Sequence, residues 1–443
     1  MMNFDEYLER VRSASRKEGI YLWELIYSDS ESLSLSAFQN SIEAFSSQFD
    51  SALSLRVVLD GKEGTASADS LDAIEPEELV QKAREYALYS DSQTEATVFK
   101  GSGLYPEKSP SSVKRYTPDE ARRLVLDSLS RILSADERIS DSTKVYYDYI
   151  ASSKRLANNK GLKLENSSEG SALSFSIKAK VADEVVTYFK SFEKDFDSVD
   201  YKALAKLATD QLGGVKVDSG DYLTVLSPKV MSSFLSTFKG IFSGRANYLG
   251  LARLGNMEGE VIAAPCLTLV DDPLYPGYSF QRCWDSDGVA TQTKRIIERG
   301  RLNTLLYNNE WAAKCGKKST GNSQRGLGRS QISSFSLYIE NGDLTLEKVH
   351  EQCFDGILVD SVKGLHAGAN SVSGDFSLEA SGFRIERGKV TYPVKSFTIA
   401  GNFYDLLKNV VAIGDDLSFD VTLASSRTGS PSVLVKGIKI GGK

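Results

Sequence analysis

The chain has 443 residues, 41% of them hydrophobic and 25% charged, with a formal net charge of −6. The length exceeds what a single core usually serves and predicts two domains, and the composition is that of a globular protein rather than a disordered one. The acidic balance argues against a general nucleic-acid binder, which carries a basic face.

From the N-terminus, Met1-Met2-Asn3-Phe4-Asp5-Glu6 has neither the basic n-region nor the apolar h-region of a secretion signal. No apolar run approaches the roughly 18–20 residues of a membrane span, so a cytoplasmic location without membrane contact is expected. Residues 3–18 read as a helix with Phe4, Tyr7, Leu8 and Val11 on one face. Strand-like runs follow at 19–28, 32–43 and 52–60, the last joined through Asp60-Gly61-Lys62 to Thr65-Ala66-Ser67 as a hairpin. Glu75-Pro76-Glu77-Glu78 opens a second helix, with proline in its first turn and acids at the positive end of the dipole. Residues 91–116 are rich in Ser, Thr and Pro and read as a long surface loop. Thr117-Pro118-Asp119-Glu120 caps a third helix to about Leu133. Strands are expected at 144–152, 171–182 and 185–191, with a tight turn at Asn158-Asn159-Lys160-Gly161. A helix from Tyr201 to Leu212 leads to Gly213-Gly214 and Asp218-Ser219-Gly220, which punctuate a domain junction.

Beyond the junction come a strand (221–226), a helix (228–242) and then mostly strands, ending in a strand pair across 431–442. Strands cluster without regular β-α alternation, which predicts an α+β protein rather than a doubly wound sheet. The expected division is a domain at 1–214, with helices packed on a sheet, and a domain at 215–443, rich in curved, barrel-like antiparallel sheet.

The most heavily specified stretch runs from Gly364 to Asp416. Glycines at 364, 368, 374 and 382, with Asn370 and Asp375, call for positive φ or close backbone approach. Phe376, Leu378 and Ala380 then alternate with Ser377, Glu379 and Ser381 as a strand, and a short strand at 390–394 follows the turn Arg387-Gly388-Lys389. A helix is expected from Asn402 to Gly414, carrying Phe403, Leu406, Leu407, Val410 and Val411.

Reactive side chains are scarce. The two histidines, His350 and His366, limit any zinc site or nucleophile-base pair to those two residues. His350 lies in His350-Glu351-Gln352-Cys353-Phe354-Asp355; ligands five apart on a helix point about 140° apart, so it reads as a surface or helix-end histidine. His366 sits beside Asn370 and Asp375 and could orient a carbonyl or act as a base; a loop histidine held by backbone is the commoner outcome. Asp271-Asp272-Pro273 and Asp285-Ser286-Asp287-Gly288 could ligate Ca²⁺ or Mg²⁺ but match ordinary turn chemistry better. Residues 321–329 could form a phosphate nest, but no Gly-Lys-Ser/Thr follows, so a flexible loop near a cleft or interface is expected. Cys266, Cys283, Cys315 and Cys353 lack CxxC spacing and read as reduced core thiols.

Several segments together resemble the TldD/PmbA family, also called modulators of DNA gyrase or TldD/TldE peptidases. They are Asn158-Asn159-Lys160-Gly161, Ser219-Gly220-Asp221-Tyr222 with Val225-Leu226-Ser227-Pro228, Leu269-Val270-Asp271-Asp272-Pro273 with Trp284-Asp285-Ser286-Asp287-Gly288-Val289, Ser319-Thr320-Gly321-Asn322 and the 364–416 stretch. In the TldD branch an HExxxH helix and a late cysteine resemble a zinc site, with the glutamate as general base. Here the equivalent helix, 230–241, has no His or Glu, and no cysteine follows Cys353, so the chain resembles the metal-free PmbA/TldE branch. The resemblance implies no catalytic or metal residue in this chain, zinc in a TldD-like partner, a heterodimer for which a homodimer can stand in, and a peptide substrate. His366, Asn370, Asp375 and Asn322 are the candidate peptide-binding or interface residues. The alternatives are a self-sufficient peptidase using His366 with Asp375 or another acid, and a gyrase-associated modulator.

Overall fold

The computed structural model describes residues 2–90, 98–110, 113–325 and 330–443. The first half is built on one antiparallel sheet of β1 (Trp23–Phe38), β2 (Ser41–Leu59), β3 (Lys62–Ala68), β4 (Lys144–Asn158), β5 (Lys163–Val181) and β6 (Glu184–Phe192), in the spatial order β3-β2-β1-β4-β5-β6. Where three strands were expected across 19–60 there are two, running unbroken through Asp29–Glu31 and Phe45–Asp50. The chain reverses instead at Gln39 and Asn40, both at positive φ (49° and 58°), as a two-residue hairpin turn requires. Asp60 and Gly61 turn β2 into β3 in the same way.

Four helices cover one face of this sheet. α1 (Phe4–Lys17), started by a capping box from Asn3 and Glu6, and α2 (Pro76–Leu88) pack on Trp23, Leu25, Leu53, Leu55 and Val57. α3 (Pro118–Leu133), with the expected Thr117/Glu120 capping box, and α4 (Tyr201–Thr209) pack on Leu33, Leu35, Tyr147, Leu173 and Phe175. All these strand positions are odd-numbered and the strands pair in register, so the even-numbered side chains face the other way. That opposite face is full of serine: β1 alone carries Ser28, Ser30, Ser32, Ser34 and Ser36. Of the stretch read as a loop, 98–110 and 113–116 contain neither helix nor strand, and 91–97 and 111–112 lie outside the described residues.

The second half holds two larger sheets. One has eight strands, in the order Val410–Ile413, Val433–Val435, Leu223–Leu226, Gly356–Lys363, Asp375–Glu386, Lys389–Asn402, Lys439–Gly441 and Gly220–Asp221. The other has six: Arg301–Leu302, Lys294–Glu298, Leu269–Asp271, Ser336–Ile339, Arg427–Ser430 and Ser418–Phe419. The fold is α+β, with one sheet strongly curled into a half-barrel. The pairing is not wholly antiparallel. Leu223–Leu226 runs parallel to Gly356–Lys363, and Ser336–Ile339 to Arg427–Ser430, because long crossovers separate those partners in sequence. α5 (Pro228–Phe238), N-capped by Ser227, packs Phe234 and Phe238 against Phe376 and Phe403, the Phe238 and Phe403 rings stacking at 4.6 Å.

The 364–416 stretch crosses the middle of the eight-stranded sheet. Phe376, Leu378 and Ala380 are buried in the alternation expected. A Cβ on Gly382 would lie 1.9 Å from the Leu358 carbonyl oxygen of the neighbouring strand, so that position is closed to any side chain. Three expectations change. The strand at 390–394 extends over Lys389–Asn402, and the helix after Asn402 ends at Lys408. Val410–Ile413 is then a strand, since these β-branched residues pair with Val433–Val435. Finally, Val433–Val435 and Lys439–Gly441 are not partners of each other: Gly437, at φ 81°, separates them into distant positions of one sheet.

Candidate functional site

The glycine loop satisfies itself. His366 is exposed on the short turn Leu365–Gly368, and among the described residues no hydrogen bond joins it to Asp375. Asn370 Oδ1 accepts from the amides of Val372 (2.9 Å) and Ser373 (3.1 Å), an Asx turn. Asp375 Oδ1 accepts from Asn402 Nδ2 at 2.8 Å, a bond that holds its carboxyl below the usual range, with Ser373 assisting. Asn402 also donates to the Ser373 carbonyl (2.9 Å) and accepts from the Tyr404 amide (3.0 Å), tying loop, strand end and helix start together. His366, Asn370 and Asp375 therefore share one exposed loop.

Asn322 belongs elsewhere and is fully buried, with no surface for a peptide or a partner. Its Nδ2 donates to Asp271 Oδ2 (2.7 Å) and to the Ser333 carbonyl (2.9 Å), and its Oδ1 accepts from Thr320 Oγ1 (2.8 Å). Asp271, also fully buried, accepts in addition from Lys294 Nζ (3.1 Å) and the Phe335 amide (2.7 Å). It is the last residue of a strand, not part of a turn; only Asp272 starts one, through its bond from the Leu274 amide (2.9 Å).

A second buried network joins the two halves. Asp285 accepts from the amides of Asp287 (2.9 Å), Val289 (3.0 Å) and Ser323 (2.8 Å), so 285–289 is the expected turn, with Gly288 at φ 80°. Burial first, and the Asp287 carboxylate second, push the Asp285 carboxyl up. Arg325 reaches Glu24 on β1 at 2.6 Å and Asp287 at 3.1 Å, and Glu24 in turn lies 3.7 Å from Arg56 on β2. Burial opposes the charge on Arg325, but the two carboxylates more than offset it and its pKa is raised. Residues 321–325 are thus not a flexible loop: Ser323–Gln324 pairs with Gln331–Ile332, and 326–329 lie outside the described residues.

Between the serine face and the second half lies a cavity of about 440 Å³. Its floor consists of cross-strand rows, Ala52-Ser28-Lys154 and Asp50-Ser30-Ser152, and its roof includes Arg282, Trp284, Ser286 and Arg325. An adjoining cavity of about 490 Å³ shares Asp29, Ser152 and Ser153 with it and carries Lys108. Burial, then Arg282 and Arg325, lower Lys154 to about 8, while burial and Arg282 lower Lys108 to about 8. Sequence reasoning missed Lys154, Arg282 and Glu24. The available signal was a charge at an even, serine-rich strand position, and its partners lie more than a hundred residues away.

The residues of α5 do not fit a zinc site. The helix carries no His, Cys, Asp or Glu, and among the described residues no three such side chains converge as a metal requires. His350 lies in the last turn of Leu346–Cys353, the helix-end position expected, but half-buried rather than on the surface, with Nε2 lacking a partner among the described residues. Burial lowers its pKa, against the opposing charges of Glu347 and Asp416. Because the unfolded chain titrates near 6.5 and the folded one lower, stability is lost as pH falls from about 6.5 through the folded value. His350→Leu is expected to remove that part of the slope in denaturation midpoints measured between pH 7.5 and 5. The cysteines are not all core residues either: Cys353 is buried, Cys283 and Cys315 are half-buried, and Cys266 is exposed in the turn at Ala264–Leu267.

Comparison with known proteins matches this architecture. Residues 219–442 match the PmbA/TldA metallopeptidase C-terminal domain, and residues 23–87 match PmbA/TldA metallopeptidase domain 1. A metalloprotease PmbA homolog of Haemophilus influenzae is 28% identical, over 93% of this chain and 90% of its own. Metalloprotease PmbA of Escherichia coli O157:H7 is 26% identical, over 95% and 92%. A solved Thermotoga maritima protein, named for modulation of a DNA gyrase, superposes with a TM-score of 0.89 at 25% identity, covering 99% of this chain and 100% of that one. TldE from Thermococcus kodakarensis shares the fold at a TM-score of 0.88 and 24% identity, over 98% and 100%. The chain belongs to the PmbA/TldD metallopeptidase family.

Proposed function

We propose that this chain is a metal-free TldE/PmbA-type subunit of a TldD/TldE-type metalloprotease that acts on unfolded or short peptides. The zinc and the HExxxH helix belong to a TldD-like partner in a cytoplasmic heterodimer, and a homodimer stands in for it when the chain is alone. The observation that carries this reading is α5, whose inner side is packed with Phe234 and Phe238 and which contains neither histidine nor glutamate. Further support comes from the four free cysteines, and from the lack, among the described residues, of a helix long and apolar enough to cross a membrane. On this reading the chain divides into domains at 214/215, after α4 and before the strand Gly220–Asp221. Extended peptides meet it through backbone groups at sheet edges rather than through reactive side chains.

The test is reconstitution. The purified chain is expected to leave unstructured peptides intact and to join a complex with an HExxxH-bearing chain that cleaves them. Cleavage by this chain alone, abolished by a chelator, overturns the proposal. Replacing His366 with Ala in the reconstituted pair separates the self-sufficient peptidase, which loses activity, from the subunit, which does not. The names of the Thermotoga maritima neighbour and a Bacteroides thetaiotaomicron neighbour favour a gyrase-associated modulator. Salt-dependent DNA binding near physiological ionic strength is the result that reading requires.

A further inference from the structure

Two cations of the cavity have no carboxylate within ion-pair distance among the described residues, although Asp29 and Asp50 line the same walls. Arg325 is matched by Glu24 and Asp287. Asp29 is matched by Arg155 at 3.5 Å and by the Ser153 hydroxyl at 2.6 Å. Lys154 differs, because its ammonium meets only neutral oxygens, Ser286 Oγ at 2.9 Å and the Arg325 carbonyl at 3.1 Å. Arg282 goes further: among the described residues its guanidinium has neither a hydrogen bond nor an ion pair, although it lines the cavity. In the adjoining cavity Lys108 also bonds only neutral oxygens, the Ser167 carbonyl and the Ser168 hydroxyl. Arg282 opposes the charge on both lysines. Glu24 and Asp285 favour the Lys154 charge from a distance without pairing with it. Desolvated like charges without a bonded counter-ion are costly, and such groups cluster where a ligand completes the set.

The rest of the lining selects the anion. Asp29 and Asp50 share the same walls, so a polyanion is repelled more strongly than a single carboxylate. The hydroxyls of Ser28, Ser30 and Ser152 suit the amides of an extended chain, and the two cavities are continuous through Asp29, Ser152 and Ser153. We propose that Lys154 and Arg282 bind the carboxylate of an extended peptide, its C-terminus or an acidic side chain, in the cavity between the serine face of β1, β2 and β4 and the second half of the chain. The choice of a peptide rests on the peptidase reading above. Binding is measured on this chain alone, without hydrolysis, so the two readings fail separately.

Calorimetry on the full chain, or the fluorescence of Trp284 in the cavity wall, compares acetyl-hexaalanine with a free carboxylate, its C-terminal amide, the same amide with one internal glutamate, and inorganic phosphate. A charge-assisted contact predicts that one of the two carboxylate peptides binds about ten-fold or more tightly than the plain amide. The free acid identifies the C-terminus as the source, and the glutamate peptide identifies a side chain. Binding of both carboxylate peptides no tighter than the plain amide, or phosphate binding as tightly as the peptides, overturns the proposal. Lys154→Met and Arg282→Met are each expected to abolish the preference. If Lys154→Met does not fold, the wild-type comparison still decides. Arg282→Met removes no bonded partner and is expected to unfold at a midpoint no lower than wild type. A lower midpoint with the preference intact makes Arg282 a structural cation and overturns its assigned role.

Discussion

Replacing Asp271 with Ala is expected to destabilise the protein by about 3–5 kcal/mol, the usual cost of breaking a buried ion pair from one side. Asp271 is fully buried, and its two carboxylate oxygens accept from Lys294 Nζ, Asn322 Nδ2 and the Phe335 amide. Its removal leaves the Lys294 ammonium, itself only 7% exposed, without a counter-charge, and leaves two further donors unpaired. Urea denaturation gives the number. The paired substitution Asp271→Leu with Lys294→Met is expected to cost less than Asp271→Ala alone, because a buried pair replaced by apolar groups strands no charge. If the double variant is the less stable of the two, the loss stems from packing at this site rather than from an orphaned charge.

The second large effect is expected at Arg325. Arg325→Ala removes the guanidinium shared by Glu24 and Asp287, leaves Glu24, among the described residues, with the 3.7 Å contact to Arg56 as its one ion pair, and is expected to cost about 2–5 kcal/mol. Arg325→Lys is expected to recover only part of this, since one ammonium cannot reproduce two directed guanidinium contacts. A double-mutant cycle with Glu24→Gln checks the assignment. A coupling energy below about 0.5 kcal/mol means that the residues act independently and that the halves are held together by other contacts.

Local chemistry was readable wherever it is decided locally. The Thr117/Glu120 capping box, the Asp60-Gly61 turn and the alternation of Phe376, Leu378 and Ala380 depend on neighbours within a few residues, and they stand as expected. The errors fall where distant partners decide. Val410 and Val411 fit a helical stripe with Leu406 and Leu407, but pairing with Val433–Val435 draws them into a strand. Asp271 before Asp272-Pro273 resembles turn chemistry until Lys294 and Asn322 arrive from other segments. The same limit hid the cavity. Lys154 is one lysine in a serine-rich strand, and only the register of β1, β2 and β4 with the roof at 282–286 places it beside Arg282. His366 is one of only two histidines, yet its loop is closed by Asn370, legible as a turn residue, and by Asn402, legible only as a helix start, whose bonds to Ser373 and Asp375 come from 29 and 27 positions away.

The contact between Glu24 and Arg325 spans 301 positions. Such a span adds little to the entropy of closing the loop, which grows only logarithmically with length, so it bears on timing more than on stability. A chain synthesised from its N-terminus completes β1 to β6, whose neighbours are mainly hairpin partners, before its second half exists. During that interval the serine face is open to water and Glu24 has Arg56 as its nearest cation. The surface left uncovered is mostly hydroxylated and charged, with Ile26, Ile150 and Leu156 as apolar exceptions. Arrival of Arg325 then converts a wetted surface into an interior wall, and assembly of the two halves becomes a dehydration step late in biogenesis.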